Sequence, residues 1–472
     1  MSDSDRKTRL VVLGAGPGGY AAAFLAADLG LEVTLVDAEP NPGGVCLYRG
    51  CIPSKALLHV ARFLHESKQA AEWGVKVAPP EIDLDALRSW KDGVVRRLTG
   101  GLGLIGKQRK VNYVQGLGRF TDAQTLHVRR DGELQQIGFD ACIVATGSLP
   151  LVPPILRLES PRVMDSTSAL QLEEIPDRLL VIGGGYIGLE MGTVYAALGS
   201  QVTVVEMMSG LLPGVDRDLV KPLTARLQDD FTEILLNTKV TQMEEVEGGI
   251  RVKLSGANVE PAERVYDRVL VSVGRRPNTQ GLGLEETGVR LDDRGFVETD
   301  PQRRTAEPTV FAIGDIAGEP MLAHKAAHEG RVAVEAVVGK PSAFDPLATP
   351  AVVFTDPEIA WCGLTEEQAR GRDVEIVKYP WRASGRAMTL GRSEGLTKLI
   401  LERGTERLLG VGIVGAGAGE LIAEGVLAVE MGARASDLHL SIHAHPTLSE
   451  TIMEAAAVFF GQSPHYVARS RA

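Results

Sequence analysis

Cysteine is scarce, with four in 472 residues. A large chain this poor in cysteine is not built on a disulfide framework, so a close cysteine pair points to catalysis or a metal. Basic charge is in deficit: 50 Lys and Arg face 61 Asp and Glu, a net charge of -11 spread along the chain. That balance lacks the basic surface that neutralises phosphates, and no nucleic-acid partner is expected. Long apolar runs are missing too. No stretch reaches the roughly 18 apolar residues of a membrane span, so no membrane partner is expected. The polar start, Met1 to Arg9, has no apolar segment of the secretory kind, and Asp3 and Asp5 argue against a transit peptide. A cytoplasmic protein is expected. With 44% hydrophobic and 24% charged residues, the composition is that of a globular protein. The length suits roughly three domains of about 150 residues.

What the chain does contain is an internal repeat. Leu10-Val11-Val12-Leu13-Gly14-Ala15-Gly16-Pro17-Gly18-Gly19 is echoed by Leu179-Leu180-Val181-Ile182-Gly183-Gly184-Gly185-Tyr186-Ile187-Gly188. Each reads as an apolar strand, a glycine-rich turn and a helix of small residues. The echo continues through Gly30 and Gly199, then through Val33–Asp37 and Val202–Glu206, always at an offset of 169 residues. Two dinucleotide-binding domains from one ancestral unit account for this. In such a unit the first glycine allows the tight turn, the second lets backbone approach a pyrophosphate, and the third lets helix and strand pack closely. The helix N-terminus faces the phosphate charge. Asp37 and Glu206, each 23 residues past the first glycine of its copy, are placed to accept hydrogen bonds from a ribose. A single glycine motif is weak, and ordinary turns in an α/β sheet would explain it. Two copies in matching context are far more specific. After Glu206 come Met207 and Met208, with no cation for a 2′-phosphate, so NAD is expected there rather than NADP.

Cys46 and Cys51 lie between the copies, in Gly43-Gly44-Val45-Cys46-Leu47-Tyr48-Arg49-Gly50-Cys51-Ile52-Pro53-Ser54-Lys55. A helical pattern follows from about Ser54 to Ala71. Residues five apart in a regular helix are separated by about 7.5 Å along the axis, beyond the geometry of a disulfide. Bridging them requires a distorted first turn, which Gly50 and Pro53 are placed to allow. A helix N-terminus with Arg49 and Lys55 near it would stabilise a thiolate. A metal site or two idle thiols are the other readings, but the spacing is not a common zinc spacing and no second cysteine pair exists. Cys142 and Cys362 sit in apolar surroundings and read as small buried hydrophobes.

Toward the C-terminus, His445 is followed five residues on by Glu450, across a proline-led turn. A histidine oriented by a carboxylate is a candidate general base for thiol chemistry. A structural histidine, or a metal cluster of His439, His443 and His445, are the alternatives. No metal site is expected, because no carboxylate or cysteine stands at an obvious ligand spacing.

Taken together, the residues resemble the pyridine nucleotide–disulfide oxidoreductases over nearly the whole chain, from about Arg9 to about Gly461. The landmarks are the two glycine-rich units, Gly43 to Lys55, Ala145-Thr146-Gly147, Val273-Gly274-Arg275-Arg276-Pro277-Asn278, Phe311-Ala312-Ile313-Gly314-Asp315, and His443-Ala444-His445-Pro446-Thr447-Leu448-Ser449-Glu450. The resemblance implies an α/β fold with two Rossmann-like dinucleotide-binding domains, for FAD and NAD, and a C-terminal α+β dimerisation domain. It implies a redox-active Cys46–Cys51 disulfide, with Cys46 exchanging with substrate and Cys51 facing the flavin. Lys55 and Glu190 look like the family's ion pair beside the flavin, although Glu190 alone would pass for a helix surface carboxylate. FAD contacts carry over to Gly14, Gly16, Gly19, Asp37, Gly44, Lys55, Gly118, Thr146, Gly147, Asp315, Met321 and Ala323. NAD contacts carry over to Gly183, Gly185, Ile187, Glu190, Glu206, Val240 and Gly274. His445, held by Glu450, is expected to serve the disulfide of the other subunit, which implies a homodimer.

The expected division is an FAD domain over 1–152, an NAD domain over 153–279, a central segment over 280–348 and an interface domain over 349–472. The expected reaction is oxidation of a protein-bound dihydrolipoyl group with NAD as acceptor. The implied partner is a lipoyl-bearing acyltransferase subunit of a 2-oxo acid dehydrogenase complex, or a lipoyl carrier protein. A related disulfide reductase, or a non-catalytic subunit, is the alternative. NADPH-dependent relatives carry basic residues after the second acid, and a scaffold needs neither cysteine pair nor His445. One departure stands out: Tyr48 and Arg49 fill positions where the family commonly has Asn and Val, which bears on redox poise and substrate fit.

Overall fold

Leu10, Val11 and Val12 are apolar on both faces of an extended chain, and such a strand is stable only when covered on both sides. In the computed structural model, which describes residues 7–257 and 259–467, all three are fully buried. The polar segment up to Arg6 and the last five residues of the tail lie outside the described residues. β1 (Lys7–Leu13) runs parallel between β2 (Val33–Asp37) and the strand Glu133–Val144. Val310–Ala312 adds to the far side of that strand, so a segment distant in sequence returns to the first sheet.

Register is what places the motifs. Leu13 pairs with Val36 and Val144, and Val144 with Ala312. The glycine turn at Gly14, the Thr146-Gly147 turn and the Gly314-Asp315 turn therefore emerge at one edge, beyond the carboxyl ends of parallel strands, where α/β sheets bind ligands. α1 (Pro17–Asp28) crosses the helix Ala323–Val337 at very close range. A Cβ on Gly18 would stand 2.9 Å from the Ala326 carbonyl oxygen, and one on Gly330 2.8 Å from the Gly18 carbonyl oxygen.

The second copy builds its own five-stranded sheet, in the order 233–235, 201–205, 178–182, 268–271 and 163–164, all parallel. Ile182, Val205 and Val271 lie in register, so Gly183 and Glu206 leave at its carboxyl edge. A three-stranded antiparallel sheet over 239–266 flanks it.

Beyond residue 350 the pattern changes to a five-stranded antiparallel sheet, in the order 351–353, 358–363, 408–415, 396–402 and 374–380. Helices Ala418–Glu430, Ala435–Leu440 and Glu450–Phe459 pack with it. Its core centres on Trp381, fully buried, whose indole N–H donates to Thr397 Oγ1 at 2.9 Å. Among the described residues no helix is long and apolar enough to cross a membrane.

The helix expected from about Ser54 begins three residues earlier, and the chain breaks at Gly50 into two helices. α2 (Gly44–Arg49) carries Cys46, and α3 (Cys51–Gln69) carries Cys51. Leu57, Leu58 and Leu64 of α3 are buried in one cluster with Leu189, Met191, Val353, Ile359 and Val414. α3 thus wedges between the second copy and the C-terminal sheet.

A second junction is ionic. Lys398, 1% exposed, sends its ammonium to Asp216 at 2.6 Å, Asp218 at 2.8 Å and Glu366 at 3.0 Å. Lys378 adds contacts to Asp218 and Glu366. The three carboxylates lie close enough to hold a metal ion, but two ammoniums already occupy them. Burial pushes the Asp218 and Glu366 carboxyls up, and hydrogen bonds from the two lysines more than reverse it, leaving both below the usual carboxylate range. Their contribution is therefore full at neutral pH and is lost as pH falls through the folded-state values, below about 4. Lys398→Met should destabilise the protein by about 3 kcal/mol at pH 7, read as a lower urea midpoint. The deficit should shrink as pH falls below about 4; a deficit independent of pH would mean that packing rather than charge is responsible.

Candidate active site

Cys46 and Cys51 are free thiols in this structure. They meet because the chain turns sharply at Gly50. A Cβ there would stand 2.8 Å from the Val45 carbonyl oxygen and 3.3 Å from the Cys46 Cα, so no larger residue fits. The Cys46 thiol donates to the Cys51 sulfur, which pushes the Cys46 thiol well above its ordinary range; burial adds to the rise. That same hydrogen bond, with the Lys55 ammonium nearby, outweighs burial at Cys51 and lowers its thiol to about 7. The two thiols are thus pushed in opposite directions, and Cys51 is the more readily ionised of the pair.

The start of α2 is stitched to the first glycine turn. Gly43 N–H donates to the Ala15 carbonyl at 2.8 Å. Gly44, at φ 57°, packs against Gly16 so closely that a Cβ would collide with the Gly16 Cα. This places the dithiol beside the turn that faces a pyrophosphate.

The two copies repeat in detail. Gly14 and Gly183 take positive φ, 101° and 110°, with no room for a side chain. Gly16 and Gly185 stand at the N-termini of their helices, while Gly19 and Gly188 close against the preceding turns. Asp37 accepts from Ala15 N–H at 2.6 Å and Glu39 N–H at 2.9 Å. Glu206 accepts from Gly184 N–H at 2.6 Å and Met208 N–H at 2.7 Å. Each acid therefore braces its own turn with one bond per oxygen, leaving the second acceptor site of each oxygen for a ribose. No ion pair reaches Glu206 among the described residues, and Met207 and Met208 are exposed.

Lys55 and Glu190 come together from residues 135 apart, with Lys55 Nζ at 2.8 Å from Glu190 Oε2. Glu190 is 3% exposed, so it is not a surface carboxylate. Its other oxygen accepts from Phe354 N–H at 3.0 Å, and the Phe354 ring lies 4.6 Å from the Lys55 ammonium. Phe354 went unread in the sequence, where it is one aromatic in an apolar strand.

At the carboxyl edge of the first sheet, Asp315 accepts from Ser148 Oγ at 2.5 Å, and Arg275 Nε donates to the same Ser148 Oγ at 2.7 Å. Thr146 and Gly147 are tied to Asn278 by Thr146 Oγ1 to the Asn278 carbonyl at 2.9 Å and by Asn278 N–H to the Gly147 carbonyl at 2.9 Å. Gly274 takes φ 135° just before this crossing. Met321 is half-buried, and Ala323 opens the helix beyond. Beneath lies Glu329, fully buried, which accepts from Gly314 N–H at 2.6 Å and pairs with Lys325 at 2.9 Å and Arg303 at 3.0 Å. The i, i+4 Lys325–Glu329 pair on the buried side of the helix was the signal that could have found it.

Two of the expected cofactor contacts also serve packing. Val240 is buried in the apolar core of the second unit with Leu180 and Ile182, so its side chain is committed to packing. Gly118 makes room for Leu13: a Cβ would stand 2.5 Å from a Leu13 methyl. Ile187 is half-buried, in the first turn of the second helix.

His445 Nδ1 lies 2.9 Å from Glu450 Oε1, and Thr447 N–H donates to Glu450 Oε2 at 2.7 Å. Burial pushes the Glu450 carboxyl up, but Thr447 and His445 more than reverse it, keeping the carboxylate ionised. The imidazole is 72% exposed. Among the described residues, no hydrogen bond joins this pair to either cysteine of its own chain. His443 bonds Glu424 at 2.8 Å and His439 faces Gln462 at 3.1 Å, so the three histidines do not converge on one point.

Residues 8–330 match the family model for pyridine nucleotide-disulphide oxidoreductase, and 349–456 match that family's dimerisation domain. A dihydrolipoyl dehydrogenase of Haemophilus influenzae is 50% identical over 458 residues, covering 96% of this chain and 95% of its own. One of Thermus scotoductus is 49% identical over 465 residues, covering 98% and 99%. Among solved structures, LpdA of Mycobacterium tuberculosis superposes with a TM-score of 0.88 at 28% identity, covering 95% of this chain and 99% of its own. The HOCl-induced flavoprotein disulfide reductase RclA of Escherichia coli gives 0.85 at 29%, covering 96% and 99%. With matches that span both sheets of the glycine repeat and the C-terminal unit, the chain belongs to the pyridine nucleotide-disulphide oxidoreductase family.

Proposed function

We propose that this chain is a dihydrolipoyl dehydrogenase that oxidises protein-bound dihydrolipoamide to lipoamide with NAD as acceptor, working as a homodimer with FAD. The Cys46–Cys51 dithiol brought together at the Gly50 break, next to the first glycine turn and the Lys55–Glu190 pair, is the observation that carries the reading. Sequence relatives bearing that activity over almost their full length support it, and the alternative of a scaffold or a different reductase is not favoured. The separate sheets support an FAD unit from 1–152 with 280–348, an NAD unit from 153–279 and an interface unit from 349 onward. The match to a dimerisation domain supports the homodimer. The lipoyl-bearing partner and a cytoplasmic setting rest on the activity itself.

The chain's own residues fit the following roles. His445, with Nδ1 held by Glu450, presents Nε2 as the base that takes a proton from a substrate thiol. The thiolate attacks Cys46 in the oxidised pair and releases Cys51 as a thiolate. The second substrate thiol then hands its proton to the departing Cys46 sulfur as its own sulfur closes the lipoyl disulfide, while the first proton stays on the His445 imidazolium until solvent takes it. The end state is a Cys46 thiol beside a Cys51 thiolate, in keeping with the directions in which the pair shifts its two thiols. The resemblance to the family puts the base for each disulfide on the partner subunit, and the absence of a hydrogen bond from His445 to its own cysteines among the described residues is in keeping with that. FAD accepts the electron pair when bound, and NAD carries it away as hydride. Gly14, Gly16, Gly19, Gly44, Asp37, Thr146, Gly147 and Asp315 would hold the first cofactor. Gly183, Gly185, Ile187, Glu206 and Gly274 would hold the second.

Anaerobic addition of dihydrolipoamide should reduce the flavin spectrum and raise a long-wavelength thiolate band, and NAD but not NADP should restore the oxidised spectrum. A bound flavin that dihydrolipoamide leaves unreduced would remove the substrate assignment. The band should grow as pH rises through about 7, where Cys51 ionises, and fade below. Cys51→Ser should abolish it, whereas Cys46→Ser should keep it; the reverse pattern would exchange the two roles. His445→Gln should lower kcat by about 10²- to 10⁴-fold. Glu450→Gln should cost roughly 10-fold or more by releasing the ring, and unchanged turnover would end the orienting role.

A further inference from the structure

Two histidines stand two residues apart in the C-terminal motif, and their surroundings divide them. His445 Nδ1 meets Glu450, and among the described residues no hydrogen bond reaches its Nε2. An imidazole with one nitrogen donating and the other bare is neutral and able to take a proton. His443 has no bare nitrogen. Its Nδ1 lies 2.9 Å from the Ser441 carbonyl oxygen, and its Nε2 lies 2.8 Å from Glu424 Oε1. A carbonyl and an ionised carboxylate can only accept, so both ring nitrogens must donate, and only the imidazolium carries two N–H groups. The side chain is 9% exposed, so water is a poor substitute for either bond.

The neighbouring elements suit a cation here. The helix Ala418–Glu430 presents Glu424, and the helix Glu450–Phe459 presents Glu450, already bonded to His445. The helix Ala435–Leu440 offers the Ser441 carbonyl at its end, with His439 turned to Gln462 and Asp437 capping its own first turn. Burial opposes a charge on His443, but the Ser441 carbonyl and the Glu424 carboxylate more than reverse it, holding the imidazole above its usual range.

The segment between these helices has little else to hold it. From Ile442 to Pro446 no backbone-to-backbone hydrogen bond forms among the described residues. On the far side of His445, Thr447 Oγ1 donates to the Ala444 carbonyl at 2.7 Å and Thr447 N–H to Glu450. On the near side the anchor is the ring of His443.

We propose that His443 is a positioning residue for the thiol chemistry: as an imidazolium clasped between Glu424 and the Ser441 carbonyl, it fixes the segment that presents His445. This deepens the reading of His445 as the base and rests on it. Charge-assisted bonds make the clasp strong. It holds while His443 keeps its second proton and fails as pH rises through the folded-state value, because a neutral ring turns a bare nitrogen to one of two acceptors. Turnover therefore needs the two rings in opposite states, His443 charged and His445 neutral.

The first measurement needs no substrate. Nitrogen-15 spectra of the histidine-labelled holoprotein at pH 7, with the His443 signals assigned by their loss in His443→Ala, should show protons on both of its ring nitrogens. One bare nitrogen would overturn the clasp. The second measurement is turnover. His443→Ala should lower kcat for dihydrolipoamide about tenfold, while NADH still reduces ferricyanide through the flavin at the parent rate, a route that bypasses the dithiol and His445. Equal losses in the two assays, or a loss in neither, would overturn the positioning role. In the parent, kcat for dihydrolipoamide should fall at alkaline pH as His443 loses its second proton. Glu424→Gln can donate an amide N–H to a neutral ring, so it should flatten that fall; an unchanged fall would overturn the dependence on charge. A parent that reduces ferricyanide with NADH but does not oxidise dihydrolipoamide would instead overturn the substrate reading, and the nitrogen spectra would still decide the clasp.

Discussion

The contact on which the architecture turns is that of the Glu190 carboxylate. It is almost wholly buried, and it takes one hydrogen bond from Lys55 on α3 and one from the Phe354 backbone at the start of the C-terminal sheet. Glu190 itself belongs to the glycine-turn helix of the second copy. One carboxylate therefore joins three units. It does not hold them together by its energy. Desolvating an ion pair of this kind offsets much of its attraction. Three buried leucines on α3 contribute roughly 2 kcal/mol each, and these supply the cohesion. What the carboxylate supplies is direction. It fixes where the Lys55 ammonium stands, one helical turn from Cys51, and that ammonium is part of what keeps the Cys51 thiol low.

The dithiol depends equally on a defect. An unbroken helix would carry the two sulfurs apart along its axis. The break at Gly50 separates α2 from α3, and it leaves no space for a side chain. The start of α2 is then anchored on the first glycine turn through Gly43 and Gly44. The same short segment thus brings the sulfurs together and fixes them relative to the phosphate-binding edge. Cysteine spacing, turn chemistry and dinucleotide binding are one constraint here.

Much of this was legible. The 169-residue repeat announces two similar sheets, and register along the parallel strands forces the Gly14, Thr146-Gly147 and Asp315 turns to one edge. The need for a distorted turn between the cysteines followed from helix geometry, with Gly50 and Pro53 placed to allow it, and the break falls at Gly50. Other features were not legible because they depend on where distant chain segments meet. Glu329 looked like one more helix carboxylate until its helix was packed against Gly314. Ser148 carried no signal at all, although it relays Arg275 to Asp315. Val240, read as a cofactor contact from the family pattern, packs its side chain in the core. Lys398 gives no hint in sequence that it neutralises three carboxylates across a junction.

The duplicated turns also show how one design is put to two uses. In both, a carboxylate from the second strand bonds a backbone N–H of the glycine turn at 2.6 Å and a second N–H two residues beyond itself. That brace is independent of the ligand, since it involves only the chain. Specificity must then come from what surrounds the brace. Around Glu206 the neighbours are exposed methionines, and among the described residues no ion pair reaches it, which suits a cofactor that binds and leaves in each turnover. Around Asp37 the loop is sewn down by Tyr48, Tyr113, Gln115 and the Arg49–Glu39 pair. Ordering a loop in advance removes an entropy cost from binding, so the first turn is built to retain its dinucleotide and the second to exchange it. The chemistry needs that asymmetry. The electron pair leaving Cys51 must find one cofactor always in place, and a second one free to depart with it.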